Sequence, residues 1–159
     1  MQIGKIDSVW RYPVKGMRGE EVPYIYTAYT GLMGDRIYGV VAADGDPGHP
    51  WHTGRNQEEF LLYKASYQSS EELLLPDNLG ATYSEWEPGI DPLYPDANAF
   101  KVTVETPGGV TYNDIEDAAF ITDLEKLTGR SLRIHTTQRG IFDARPVSLF
   151  SLSAAAKLG

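Results

Sequence analysis

Apolar and polar positions alternate in short runs along most of this chain, the period-two pattern of half-buried strands. Residues 3–10 open with such a run, carried by Ile3, Ile6 and Ser8-Val9-Trp10. Residues 21–28 make a second, with Val22, Tyr24 and Tyr26 on one face and Pro23 marking an edge or a strand's beginning. Residues 37–42 (Ile-Tyr-Gly-Val-Val-Ala) are a third run, rich in β-formers, and the short connections suggest a meander. Residues 60–65 read as a strand or a short buried element, and 71–75 as a weak strand stopped by Pro76-Asp77-Asn78. Residues 100–106 alternate most cleanly, and Pro107-Gly108-Gly109 turns them into Val110-Thr111-Tyr112. Residues 132–136 give a last strand.

The period changes once, over residues 113–128. Phe120, Leu124 and Leu127, joined by Ile121, repeat at helical spacing. Asn113 with Glu116 three residues on resembles a capping box, and Gly129 suits the residue just past a helix end. Near the end of the chain, Ser151 or Ser153 can cap a short last helix that reads as the first turns of something longer. Residues 44–54 read as a loop, 78–98 as an ordered excursion with one strand around 81–86, and 139–146 as irregular. The pattern predicts a β-rich α+β fold: a mostly antiparallel sheet curled into a barrel, with one packed helix at about 113–128.

Composition narrows the function classes. The 159 residues are 42% apolar and 23% charged, an ordinary globular balance that suits one core. No apolar run approaches the roughly 20 residues of a membrane helix, and Met1-Gln2-Ile3-Gly4-Lys5 has no apolar signal core. A soluble, cytoplasmic protein without a membrane partner is the expectation. The net charge is −8 and no basic run exceeds two residues, which argues against nucleic acid. There is no cysteine, so disulfides, zinc–thiolate sites and thiol nucleophiles are excluded within these residues.

Candidate chemistry centres on cations beside glycines. Tyr12-Pro13-Val14-Lys15-Gly16 leaves the first strand on a stiff corner, because Pro13 fixes its own φ and biases Tyr12 towards extended backbone. Lys15 precedes Gly16, Arg36 follows Gly34-Asp35, and Arg55 follows Gly54. Each stands at the end of an expected strand, so the three can converge on one anion, with Arg as a bidentate donor and Lys as a point charge. The plainer alternatives are a corner with a solvated lysine and an Arg36–Asp35 surface pair. His49 and His52, with Asp44 and Asp46, offer good ligand types but no zinc-like spacing. A hydrolase using either histidine would need it in a cleft beside one of those carboxylates. No nucleophile elbow, P-loop or dinucleotide fingerprint is present, so enzymatic status stays open.

Four blocks together resemble one family. Residues 9–16 (Val-Trp-Arg-Tyr-Pro-Val-Lys-Gly), 31–36 (Gly-Leu-Met-Gly-Asp-Arg) and Thr53-Gly54-Arg55 look like the N-terminal β-barrel domain of MOSC proteins. Residues 142–149 (Phe-Asp-Ala-Arg-Pro-Val-Ser-Leu), followed by Ser151, look like the entry into the MOSC domain itself. The resemblance implies a barrel domain over residues 1–140 and the beginning of a MOSC domain over 141–159. It implies a link to the molybdenum cofactor (molybdopterin), in cofactor binding or sulfur transfer. Full-length relatives resemble molybdenum-cofactor oxidoreductases or sulfurases, and the family's associations extend to molybdenum ion and pyridoxal phosphate binding. The lysine and arginine that hold the cofactor's phosphate in such relatives correspond to Lys15 and Arg36; Gly16, Arg55 and Arg145 complete the expected cofactor-binding set. Two departures stand out. Gly16 occupies a place where the family often has serine, and the later metal-ligating cysteine is missing. The expected partners are a phosphorylated small molecule or cofactor, and either a downstream MOSC domain or a second copy meeting the C-terminal segment. The alternative is a non-enzymatic small barrel that binds another phosphorylated ligand or a protein.

Overall fold

The computed structural model describes residues 4–28, 31–82, 92–137, 140–143 and 145–157. Within them, short strands pair antiparallel in four groups. β1 (Val9–Arg11) pairs with β2 (Glu20–Val22), and β3 (Thr27–Ala28) with β4 (Gly31–Leu32). β5 (Tyr38–Asp46) forms a hairpin with β6 (His49–His52), its register shifted between Val41 and Asp46. β7 (Lys64–Tyr67), β8 (Val102–Glu105) and β9 (Thr111–Tyr112) make a second three-stranded sheet. β10 (Leu132–Thr136) completes the first, on the free side of β5. The helices are α1 (Leu79–Thr82), α2 (Ala118–Thr128) and α3 (Leu152–Ala155), with 3₁₀ turns at Glu58–Leu62, Ser70–Leu73 and Ala97–Phe100.

The core lies where these small sheets meet α2. Val14, Phe60, Val102, Val104, Phe120 and Leu124 are fully buried there. Alternation along β8 sends Val102 and Val104 inward, and a one-turn spacing along α2 puts Phe120 and Leu124 into the same buried cluster. Burying side chains of this size stabilises by about 1.5–3 kcal/mol each.

The β-rich α+β class is as expected, but no sheet closes into a barrel among the described residues. Proline and glycine cut the ladders short: Pro13, Pro23 and the turn over residues 33–36, which holds Gly34, separate β1 to β5. Isolated parallel bridges, Val14 to Tyr38 and Arg18 to Lys64, stitch the separate pieces instead.

Several boundaries differ from the sequence reading. The first strand is three residues long rather than eight; residues 1–3 lie outside the described set. The run 21–28 is broken into β2 and β3 at Pro23. Residues 44–54 hold the second arm of a hairpin rather than only a loop. Residues 70–73 turn as 3₁₀ instead of extending, because the carbonyls of Ser70 and Leu73 are taken by the Arg11 guanidinium. α2 starts at Ala118, not at 113. Asp117 caps it through Ala119 N–H, and Ile115 N–H is drawn to Val102 O on β8. Its end is as expected, with Gly129 left-handed at φ 67°. Ser151 caps α3. The strand expected around 81–86 begins inside α1, and its remainder lies outside the described residues.

Candidate functional site

Two motif blocks lock together at the end of β1. Lys15 N–H donates to Tyr38 O at 2.8 Å, and Tyr38 N–H returns to Pro13 O at 3.1 Å. Arg36 N–H reaches Tyr12 O at 2.6 Å, while Tyr12 N–H donates to Asp35 Oδ1 at 2.7 Å. The corner is therefore tied to the Asp35–Tyr38 stretch by four hydrogen bonds that involve the backbone. Arg36 carries a left-handed backbone, φ 53°, in a non-glycine residue. Such a conformation costs on the order of 1–3 kcal/mol and persists only where surrounding bonds over-determine it.

The third block closes from β6. Gly16 has φ +84°, and a Cβ there would stand 2.9 Å from Thr53 Cβ, so the two segments pass at a distance only glycine allows. The turn after Thr53 is tied by Asn56 N–H to Thr53 O at 2.9 Å and by Thr53 N–H to Asn56 Oδ1 at 3.1 Å. It delivers Gly54 and Arg55 to the same rim.

Between these blocks lies a cleft of about 360 Å³, lined by Lys15, Gly16, Arg36, His49, Arg55 and Asp143 among others. That is at the low end of the roughly 300–1,000 Å³ of small-molecule sites. Lys15 Nζ donates to Asp143 Oδ1 at 2.6 Å and to Ile141 O at 3.2 Å. Arg55 Nη2 meets the other oxygen of the same carboxylate, Oδ2, at 3.0 Å. Arg36 turns one edge to Asp35 Oδ2 at 2.7 Å and donates from Nη2 to Pro146 O at 2.9 Å; its guanidinium lies 4.5 Å over the Phe142 ring. The hydrogen bond from Lys15 holds the Asp143 carboxyl below its ordinary pKa, partly opposed by burial and reinforced by the charges of Lys15, Arg55 and His49. Asp35 shifts the other way: burial raises it and outweighs the Arg36 charge and the Tyr12 N–H bond.

Residues 3–102 match the family model of the MOSC N-terminal beta barrel domain. The chain belongs to the MOSC family. Searches of curated proteins and of solved structures returned no match. The family is generally linked to the molybdenum cofactor. The MOSC match contains Lys15, Gly16, Arg36 and Arg55; Asp143 and Arg145 fall after it.

Of the residues expected from sequence, Lys15, Gly16, Arg36 and Arg55 come to one cleft of this MOSC chain. Arg145 is exposed and does not line it. The histidines separate: His49 lines the cleft, whereas His52 is buried against Phe60 with ring centroids 5.3 Å apart. Asp44 pairs with Arg130 at 2.7 Å rather than with a histidine. No cluster suited to a metal ion occurs among the described residues, and no helix there is long and apolar enough to cross a membrane. The cation-binding role of Asp143 was not read from sequence. A lone acidic residue 128 positions from its lysine carries no local signal.

Proposed function

We propose that this MOSC chain contributes the phosphate-binding side of a molybdenum-cofactor site, with Lys15, Arg36 and Arg55 as the anion ligands and the Gly16 and Gly54 backbone giving close approach. One observation carries this reading: Lys15 and Arg55, from separate blocks, grip the two oxygens of a single carboxylate in an open cleft, with Arg36 on the same wall. A phosphate likewise presents two oxygens to such a pair of donors, with more charge. Residues 1–140 then form the N-terminal unit and 141–159 the opening of the MOSC domain.

The donor set fits the phosphate end of the cofactor and not its metal end. These 159 residues have no cysteine, so a thiolate for molybdenum has to come from other residues. The bound cofactor would supply redox or sulfur-transfer chemistry at the metal. This chain's part is to neutralise the phosphate, orient it by a fixed fork of donors, and hold both against a rigid corner. Leu149 and Phe150, 93% and 74% exposed on the C-terminal segment, support a contact there with a downstream domain or a second copy. The same geometry also serves a plain binding module for another phosphorylated ligand.

Calorimetric titration with inorganic phosphate tests the site. Lys15→Met is expected to weaken binding at least about tenfold, since it removes one charge-assisted donor. Unchanged affinity would dismiss the cradle.

A further inference from the structure

The anion already held in the cleft belongs to the protein. Asp143 places one carboxylate oxygen on Lys15 at 2.6 Å and the other on Arg55 at 3.0 Å, which is how an incoming phosphate would be taken. We infer that Asp143 is a tethered stand-in for the ligand, which must rotate out as the ligand enters, and that the site therefore selects phosphate-monoester dianions over singly charged carboxylates. This inference rests on the anion-site reading above.

Charge sets the selectivity. Lys15, Arg36 and Arg55 bring three positive charges to the cleft, and Asp35 and Asp143 cancel two of them. With the Asp143 carboxylate turned away, Asp35 still neutralises Arg36 and two positive charges face the ligand. A dianion matches that balance. A monoanion leaves one charge uncompensated and gains nothing over the group it replaces. Tethering raises the threshold that any incoming anion has to beat, because a side chain on the same polypeptide competes at an effective concentration on the order of millimolar.

The exchange is local. The Asp143 side chain is 42% exposed, so rotation returns it to water without opening the core. The segment that carries it stays anchored on either side. Ile141 is buried and its N–H is bonded to Arg36 O at 2.7 Å, while Pro146 O holds Arg36 Nη2. Between these anchors Phe142 packs against Gly31 and Gly140, where an added Cβ would come within 2.6 Å and 2.3 Å of its ring. Lys15 keeps a backbone partner, Ile141 O, through the exchange.

The test is a phosphate titration of the parent chain, Asp143→Asn and Asp143→Ala, each with and without Lys15→Met. Both Asp143 variants are expected to bind inorganic phosphate about tenfold more tightly than the parent, and Lys15→Met to remove that gain. If Lys15→Met abolishes binding but neither Asp143 variant tightens it, the cradle stands and the stand-in is refuted. If Lys15→Met changes nothing in any background, the cradle reading fails and takes this inference with it. A second readout needs no variant. The ¹³Cγ resonance of Asp143 in the parent is expected to move as phosphate saturates the site, and a resonance that stays put overturns the exchange.

Discussion

Arg11 and Lys15 flank Tyr12-Pro13-Val14, and both are buried cations paired with a carboxylate, yet their surroundings differ in kind. Arg11 is fully buried and its partner Glu20 is 11% exposed. Its guanidinium spends its donors on Glu20 Oε1, Leu73 O, Ser70 O and Ser70 Oγ, and lies 4.7 Å over the Tyr67 ring. Tyr67 in turn donates to Gly34 O at 2.6 Å, tying the clamp to the Gly34-Asp35-Arg36 turn. Lys15 has a side chain 8% exposed, but its partner Asp143 is 42% exposed and lies on a rim. A cation whose partners are all buried has nothing to exchange. One whose counter-ion reaches water can trade it for a ligand. Burial of the cation is thus no guide to its role; the accessibility of its partner is.

The largest expected effect falls on the closed side. Arg11→Met strands Glu20 and two carbonyls, and is expected to cost about 3–5 kcal/mol in urea unfolding, as breaking a buried pair does. Lys15→Met should cost about 1 kcal/mol or less, since Asp143 returns to solvent. Equal losses for the two would erase the distinction between clamp and cradle.

His52 sharpens the contrast from the opposite direction. It is buried, and neither ring nitrogen has a hydrogen-bond partner among the described residues. Burial lowers its pKa from the ordinary 6.5, helped by the Arg130 charge and opposed by Asp44. The unfolded chain takes up this proton near pH 6.5, and the folded ring only at lower pH. Between the two the unfolded state holds more protons, so the His52 contribution to stability falls as pH falls and is fully gone below the folded value. The Asp143 contribution has its own window, present above the ordinary carboxylate pKa and lost as pH drops through its lowered folded value. The His52 part of the unfolding free energy should therefore slope downward below about pH 7, against an opposite part from Asp35, whose raised pKa makes the folded state take up that proton first, and His52→Leu should remove the downward part. A slope unchanged by the substitution would place the titrating group elsewhere.

Much of the fold was legible where one signal ruled. β8 alternates cleanly and was located within two residues, and Gly129 marked the end of α2 because a left-handed backbone leaves few other choices. The start of α2 was missed because Asn113 and Asp117 are both good caps. Contact of Ile115 with β8 decided between them, and no local pattern carries that. The 3₁₀ turn at Ser70–Leu73 was missed for the same reason, since its carbonyls answer to Arg11, 59 and more positions away. The three cations that line the cleft were readable from glycines beside them. Asp143 was not, because the sequence shows where a cation is held but not which distant carboxylate will meet it.

The most direct test of the cradle is a ¹H–¹⁵N NMR titration of the parent chain with inorganic phosphate. The account predicts amide shifts centred on residues 15–16, 36, 53–55 and 141–143, with the Arg11 surroundings unmoved. Shifts centred on Arg145 or Arg130, or none at all at Lys15 and Gly16, would contradict it.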